Sequence, residues 1–316
     1  MKRAMLRAVL ALACSCILAA CGGGGSGGGT PPGGSAALQW FVSDIGHGTV
    51  AGMPAWTSTS GIQLASQVAI TVPGLRDTLA YDASRDLLYV MTAHSVQVLA
   101  HASGLSASAT PVRTITLPAD WISGSGLVLH AASDTLYVAG SRTYDGQVLV
   151  VAGASTAAGA VSPSRVLTVT DGVHAFAVDA ARATMYVLGA TTGVHVFTGI
   201  DVANGTVNPA RHIQLSTTFS GVAIDPARDR LYATDPFGGV AIVNQASTAS
   251  PVSVGTIALA NPRVLAIDSA QDRLYVGAYD KAYVLDHAST LAAGTSVPAA
   301  ALVGASGTSI GGFAFP

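Results

Sequence analysis

Gly221-Val-Ala-Ile-Asp-Pro-Ala-Arg-Asp-Arg-Leu-Tyr-Ala-Thr-Asp235 reads as a short apolar run, a turn and a second apolar run. Asp225-Pro226 opens the turn, since proline fixes φ and an aspartate carboxylate can bond the amides that follow it. The pattern Ala-Φ-Asp-(x)5-Leu-Tyr, with Φ apolar, recurs. Leu79-Ala-Tyr-Asp82 leads to Tyr89, Phe176-Ala-Val-Asp179 to Tyr186 and Leu265-Ala-Ile-Asp268 to Tyr275. Leu127-Val-Leu-His130 leads to Tyr137 with His in the Asp place. The five tyrosines lie 48, 49, 46 and 43 residues apart, a period that belongs to repeat architectures.

Each repeat holds four short apolar runs separated by Gly, Pro, Asp, Ser and Thr. In the quoted copy they are 222–224, 230–233, 239–243 and 252–259. Four antiparallel strands in 43–49 residues is the signature of one β-propeller blade. No window carries a sustained helical period. Gln39-Trp-Phe-Val-Ser-Asp44 aligns with the second strand, Phe41 lying 48 residues before Tyr89, yet only a Gly-rich tract precedes it. Gly311-Gly-Phe-Ala-Phe-Pro316 aligns with Gly221-Val-Ala-Ile-Asp-Pro226, a first strand with nothing after it. Pairing the two fragments satisfies both open strand edges and closes a ring. The expected fold is all-β: a six-bladed propeller over 36–316, its last strand joining its first blade.

Over the whole of that region the chain resembles propellers built from NHL-like or YVTN-like repeats. The residues that carry the likeness are 221–235 and Leu274-Tyr-Val-Gly-Ala-Tyr-Asp280. The resemblance implies architecture and no particular reaction. Propellers similar to gluconolactonases and paraoxonases hold an axial divalent cation with Glu, Asn and Asp. This chain has no Glu, and Asn204, Asn208, Asn244 and Asn261 fall in outer turns or loops, so neither metal nor cofactor is expected.

Met1-Lys-Arg-Ala-Met-Leu-Arg7 and the apolar stretch 8–20 read as an export signal, the latter too short to cross a hydrocarbon core of about 30 Å. Leu18-Ala-Ala-Cys21 resembles a bacterial lipobox, which implies lipidation of Cys21 after removal of 1–20. Residues 21–35 then form a tether whose Gly/Ser composition cannot build a core. Gly22 after the cysteine resembles lipoproteins delivered to the outer membrane. The expected localisation is the cell envelope, with the lipid as the sole membrane attachment.

All three cysteines lie in the leader, which leaves the propeller without disulfides, thiol nucleophiles or Cys-held zinc. All 17 acidic residues are Asp, and removal of Lys2, Arg3 and Arg7 leaves 12 basic residues against them. Such a surface argues against nucleic acid, which needs clustered cations. A monomer is expected.

The repeated Asp and Tyr read as structural, so chemistry is sought where the copies differ. Five residues before each repeated Asp the sequence has Asp77, Ser125, His174, Ser220, Arg263 and Ile310. The loops between second and third strands share that face and add His47, His94, Tyr144, Asp145, Asp235, Phe237, Tyr279, Asp280 and Lys281. The candidate ligand-binding set is Asp77, His174, Arg263, His94, Asp145, Asp235, Asp280 and Lys281. Arg263 would pair with an anionic group, and His174 and Asp77 would orient or deprotonate a substrate. No catalytic set is recognisable, so the first reading is a binding or scaffold module for an envelope protein, peptide or glycan. A lactonase-like hydrolase is the second.

Overall fold

The computed structural model describes residues 37–316 apart from 58–59, 120, 143–144, 192 and 216–219; the side chains of 122–125, 141–142 and 145 also lie outside the described part. The leader, Cys21 and the tether fall outside it too. Six sheets stand around one axis. Their inner strands are Ile310–Ala314, Leu75–Asp82, Ile122–His130, Ala175–Asp179, Gly221–Asp225 and Val264–Asp268. Each packs on the next, and the last returns to the first. The architecture is the expected six-bladed propeller.

The blades differ from the expectation in their outer edges. Three carry four antiparallel strands, and three carry a fifth that runs parallel to the outer strand. Gly159–Ala160 adds to Arg113–Thr116, Gly205–Val207 to Arg165–Val169, and Ile62–Gln63 to Leu302–Val303. Each added strand comes from the third-to-fourth-strand connection of the following blade. It covers an outer edge that would otherwise be open to pairing.

The core lies between blades. Six apolar clusters fill the six interfaces, because strand side chains alternate between the two faces of each sheet. Tyr89, Tyr137, Tyr186, Tyr232 and Tyr275 all face the following blade and are buried. Burial of a large apolar side chain contributes about 1.5–3 kcal/mol, so five rings at equivalent places are a major part of the interblade contact. Phe41 takes the tyrosine's place in the first blade and is fully buried.

That first blade joins the two ends of the propeller. Trp40–Asp44 pairs with Ile310–Ala314 through Phe41↔Ala314, Val42↔Phe313 and Ser43↔Gly312, then slips by one residue to Asp44↔Ile310. The slip corrects the sequence alignment. Ser43 Oγ donates to Asp77 O at 2.8 Å, as Thr234 Oγ1 donates to Arg263 O at 3.0 Å. Ser43 pairs with Gly312 and Thr234 with Gly221, so Gly312 is the equivalent of Gly221. The sixth strand-start position is therefore Gly311, and Ile310 is buried in the bulge. Glycine is required here by close approach: a Cβ on Gly312 would lie 2.3 Å from Asp77 O.

Polar residues repeat as interblade ties. The first-hairpin Asp accepts a backbone N–H in four blades, from Arg85 onto Asp82, Arg182 onto Asp179, Ala227 onto Asp225 and Gln271 onto Asp268. His130 serves the same turn differently, its Nδ1 lying 2.6 Å from Ser133 Oγ. In three hairpins an arginine pairs with the buried carboxylate at 2.6–2.8 Å and also donates to a carbonyl of the next blade. The pairs are Arg85 with Ala131 O, Arg182 with Pro226 O and Arg228 with Ser269 O. From outer strands, Arg113, Arg165 and Arg211 reach Ser155 O, Ile200 O and Ala246 O of the following blade.

A second set of aspartates was not singled out in the sequence. Asp86, Asp134, Asp229 and Asp272 are left-handed, with φ of 51–55°. Each accepts both the N–H and the Oγ–H of a serine after the third strand: Ser103, Ser155, Ser247 and Ser289 respectively.

Candidate functional site at one mouth of the central channel

The inner strands surround a cavity of about 360 Å³ on the axis. Each is paired on one side only, so its other edge offers backbone N–H and C=O groups to the channel. Its wall residues include Gly126, Ala175, Ala177, Gly221 and Gly311, small side chains that let the strands approach the axis, together with Tyr81, Leu129, Phe176 and Leu265.

The strand starts occupy one end of this channel. His174, Ser220 and Arg263 each donate a backbone N–H, at 2.8 Å, to a carbonyl near the end of the neighbouring strand: Leu188, Thr234 and Gly277. That shared bond shows the three positions to be equivalent. Around the ring the order is Gly311, Asp77, Ser125, His174, Ser220, Arg263. Asp77, His174 and Arg263 thus alternate with smaller residues around the mouth, the Arg263 guanidinium lying over the Tyr279 ring and outside the cavity lining. Asp77 and His174 line the cavity and are exposed to it.

Electrostatics concentrate on the Asp77 side. The protein surrounding Asp77 raises its carboxyl pKa by desolvation, while the Arg263 and then the Arg76 guanidinium pull it down. The rise shows that these two cations offset only part of the cost of holding the charge there. Arg263 is half-buried, with its guanidinium 4.6 Å from the centre of the Tyr279 ring, a stacked cation that is fixed in direction. Arg76 was missed in the sequence because it lies one position ahead of the aligned ring. The third blade's inner strand stands between Asp77 and His174, so a bound molecule, and no direct base–nucleophile contact, would have to connect them.

The remaining sequence candidates divide. Asp280 and Lys281 lie in the sixth blade's second-to-third-strand turn with Nζ and Oδ1 4.0 Å apart, exposed beside Tyr279. His94 is in the second blade's equivalent turn, its Nδ1 3.2 Å from Trp121 O. Asp235 is buried and accepts the Phe237 N–H at 2.9 Å, so its carboxylate is engaged in shaping its own turn. Asp145 begins the third blade's third strand, and its side chain, like those of Ser125 and Tyr144, lies outside the described residues. His47 pairs with buried Asp44 at 2.8 Å, and this hydrogen bond raises the imidazole pKa. His195 sits 2.8 Å from Thr191 Oγ1 and 3.3 Å from Asp171 Oδ2, with its ring 4.7 Å from that of His212. Burial and His212 together lower its pKa against the pull of Asp171. Among the described residues, no three His, Cys or Asp side chains are disposed to hold a metal ion.

No protein-family model matches the sequence, and no curated protein matches it either. Similarity is found to solved structures. One such chain belongs to a crystal structure of a nidogen/laminin complex, with a TM-score of 0.62 and 14% identity over 88% of this chain and 97% of that one. At that identity the likeness shows the fold. In all, 1132 solved chains match, too many for the architecture to select a function.

Proposed function

We propose that the protein is a binding module of the cell envelope, held to a membrane through lipidated Cys21, whose ligand or partner is received at the Asp77–His174–Arg263 mouth of the channel. One observation supports this most. Most of the described arginines and hairpin aspartates are committed to interblade ties, whereas Asp77, His174 and Arg263 are unlike from blade to blade and stand at strand starts around one opening. A fold neighbour crystallised within a protein complex is consistent with a binding role for this architecture. The test is capture from envelope extracts with the full chain and with Arg263→Gln. Recovery of a component that the variant fails to retain supports the reading. Equal recovery by both proteins, or turnover of a small substrate with no partner, contradicts it. Cys21→Ser tests the anchor separately: the protein should move from the membrane to the soluble fraction.

A further inference from the structure

A pair of imidazoles lies outside the channel, at the mouth-side end of the fourth blade. His195 in the third strand Val194–Thr198 and His212 in the outer strand Arg211–Ile213 are direct cross-strand partners. Side chains of a direct pair share one face of the sheet, and here the ring centres stand 4.7 Å apart with their planes inclined by 53°. The His195 side chain is largely shielded, at 16% exposure, whereas His212 is open to solvent. The turn between the second and third strands runs against this pair. A Cβ on Gly193 would lie 2.6 Å from His212 Nε2, and one on Gly189 would lie 2.6 Å from Asp171 Oδ2, so both glycines leave space that a side chain would take.

The hydrogen bonds behind His195 decide which of its nitrogens carries the proton. Thr191 Oγ1 donates to Asp171 Oδ2 at 2.7 Å and lies 2.8 Å from His195 Nε2. A hydroxyl has one proton to give. With that proton on Asp171, Thr191 can only accept from the imidazole. Nε2 therefore carries the hydrogen, and the lone pair of neutral His195 is on Nδ1. The Asp171 carboxylate, 3.3 Å from the same Nε2, supports this tautomer. Burial and the neighbouring His212 lower the His195 pKa, with Asp171 opposing them, which favours the neutral ring at neutral pH.

A neutral imidazole whose far N–H is held by a hydroxyl and a carboxylate is the arrangement that stands behind metal-ligating histidines. We propose that His195 Nδ1 and one ring nitrogen of His212 together hold a divalent transition-metal ion, and that Thr191 and Asp171 position His195 for it. Two nitrogens bound to one ion at about 2.0–2.1 Å lie at most about 4 Å apart. Rings with centres 4.7 Å apart reach that separation by rotation about their side-chain torsions. The protein supplies two ligands, and water completes the coordination. Two imidazoles select Cu²⁺, Ni²⁺ or Zn²⁺, with Cu²⁺ held tightest, and give no hold on Ca²⁺ or Mg²⁺, which require oxygen ligands. The site is independent of the channel function proposed above, although Asp171 ties the loop that leads to His174 onto Thr191.

The experiment titrates the full chain, its leader cysteines alkylated, with Cu²⁺, Ni²⁺, Zn²⁺, Ca²⁺ and Mg²⁺, alongside His195→Ala, His212→Ala and Asp171→Asn. The wild type should bind one more equivalent of Cu²⁺, Ni²⁺ or Zn²⁺ than either histidine variant, with no such difference for Ca²⁺ or Mg²⁺. Asp171→Asn should keep the site but weaken it by about ten- to a hundredfold, the usual cost of losing an orienting partner. Without metal, His212→Ala should unfold near the wild-type midpoint, since its side chain is exposed, and it should miss the stabilisation that Zn²⁺ gives the wild type. A second measurement needs no variant: at one equivalent of Cu²⁺, the paramagnetic resonance spectrum of the wild type should show coupling to two imidazole nitrogens. An equivalent that survives either histidine change, or coupling to a single nitrogen, overturns the proposal. Undiminished affinity in Asp171→Asn overturns the positioning role of Asp171 and Thr191.

Discussion

The carboxylate of Asp44 accepts the backbone N–H of Ser309 at 3.0 Å, joining positions 265 residues apart. The same oxygen accepts the Gly46 and His47 amides, and its partner oxygen meets His47 Nδ1. One buried side chain thus organises the first blade's turn and holds the returning strand. At the same seam Trp40, Phe313 and Phe315 each meet the Tyr275 ring at centroid distances of 5.1–5.8 Å, and each such pair contributes about 0.5–1.5 kcal/mol beyond burial.

Ring closure should therefore be sensitive at its tightest contact. Gly312→Ala places a Cβ 2.3 Å from the Asp77 carbonyl, and backbone cannot give way as a side chain can. Thermal or denaturant unfolding should show a loss of about 1–3 kcal/mol, the usual cost of overpacking. Gly74→Ala, with open space at its Cβ but φ of 72°, should show only the smaller cost of left-handed strain.

The turn after each third strand offers the opposite test. His101, Gln245 and His287 are left-handed, with φ of 54°, 55° and 58°, where the third and fourth blades have Gly153 and Gly199. Replacing each by glycine should stabilise the protein by about 0.5–1 kcal/mol, since a side chain in this region costs about 1–2 and glycine returns part of that in entropy. Gly153→Ala and Gly199→Ala should each destabilise.

Two arginines should separate stability from binding. Arg182 pairs with the buried carboxylate of Asp179 and spans two blades, so Arg182→Met should cost about 1–3 kcal/mol on unfolding. The Arg263 side chain makes no such tie, and its backbone carries the hydrogen bonds from Ser220 and Thr234. Arg263→Gln should unfold near the wild-type midpoint and lose ligand.

Acid should act on two classes of aspartate in opposite senses. Burial raises the pKa of Asp44, Asp82 and Asp272, but hydrogen bonds from Ser309, from Ser84 and Arg85, and from Ser289 outweigh it and leave all three below the ordinary 3.8. Their stabilisation is complete above 3.8 and is lost as pH falls through the folded-state values. Asp77 is raised, so its charge opposes folding at neutral pH and protonation relieves it. Unfolding midpoints measured at pH 7 should fall for Asp272→Asn and hold or rise for Asp77→Asn.

The blade count was legible because Tyr and Asp recur at a period that holds four short apolar runs, and because two orphan fragments completed one blade. The one-residue slip at Ile310 was not, since Gly311-Gly312 fits either register and only the contact of Ser43 with Asp77 separates them. The Asp–Ser ties of Asp86, Asp134, Asp229 and Asp272 escaped notice because their partners follow at variable spacing. Ala lies directly before each serine, but the position ahead of it holds His, Gly or Gln. The fifth strands at Ile62–Gln63, Gly159–Ala160 and Gly205–Val207 pair through backbone alone and leave no side-chain pattern. At the mouth, the unlike residues Asp77, His174 and Arg263 were visible as exceptions to the repeat, whereas Arg76 and the stacking of Arg263 on Tyr279 needed three dimensions.

Site-specific photo-cross-linking tests the channel mouth most directly. A benzophenone amino acid is placed at Tyr279 on the rim and, in a second protein, at Val202, which is 79% exposed beyond the far end of a third strand on the opposite face. Irradiation in the native envelope should give a defined adduct from position 279 that is lost with Arg263→Gln, and none from position 202. An adduct from position 202 alone, unaffected by Arg263→Gln, would place the partner on the other face and contradict the assignment.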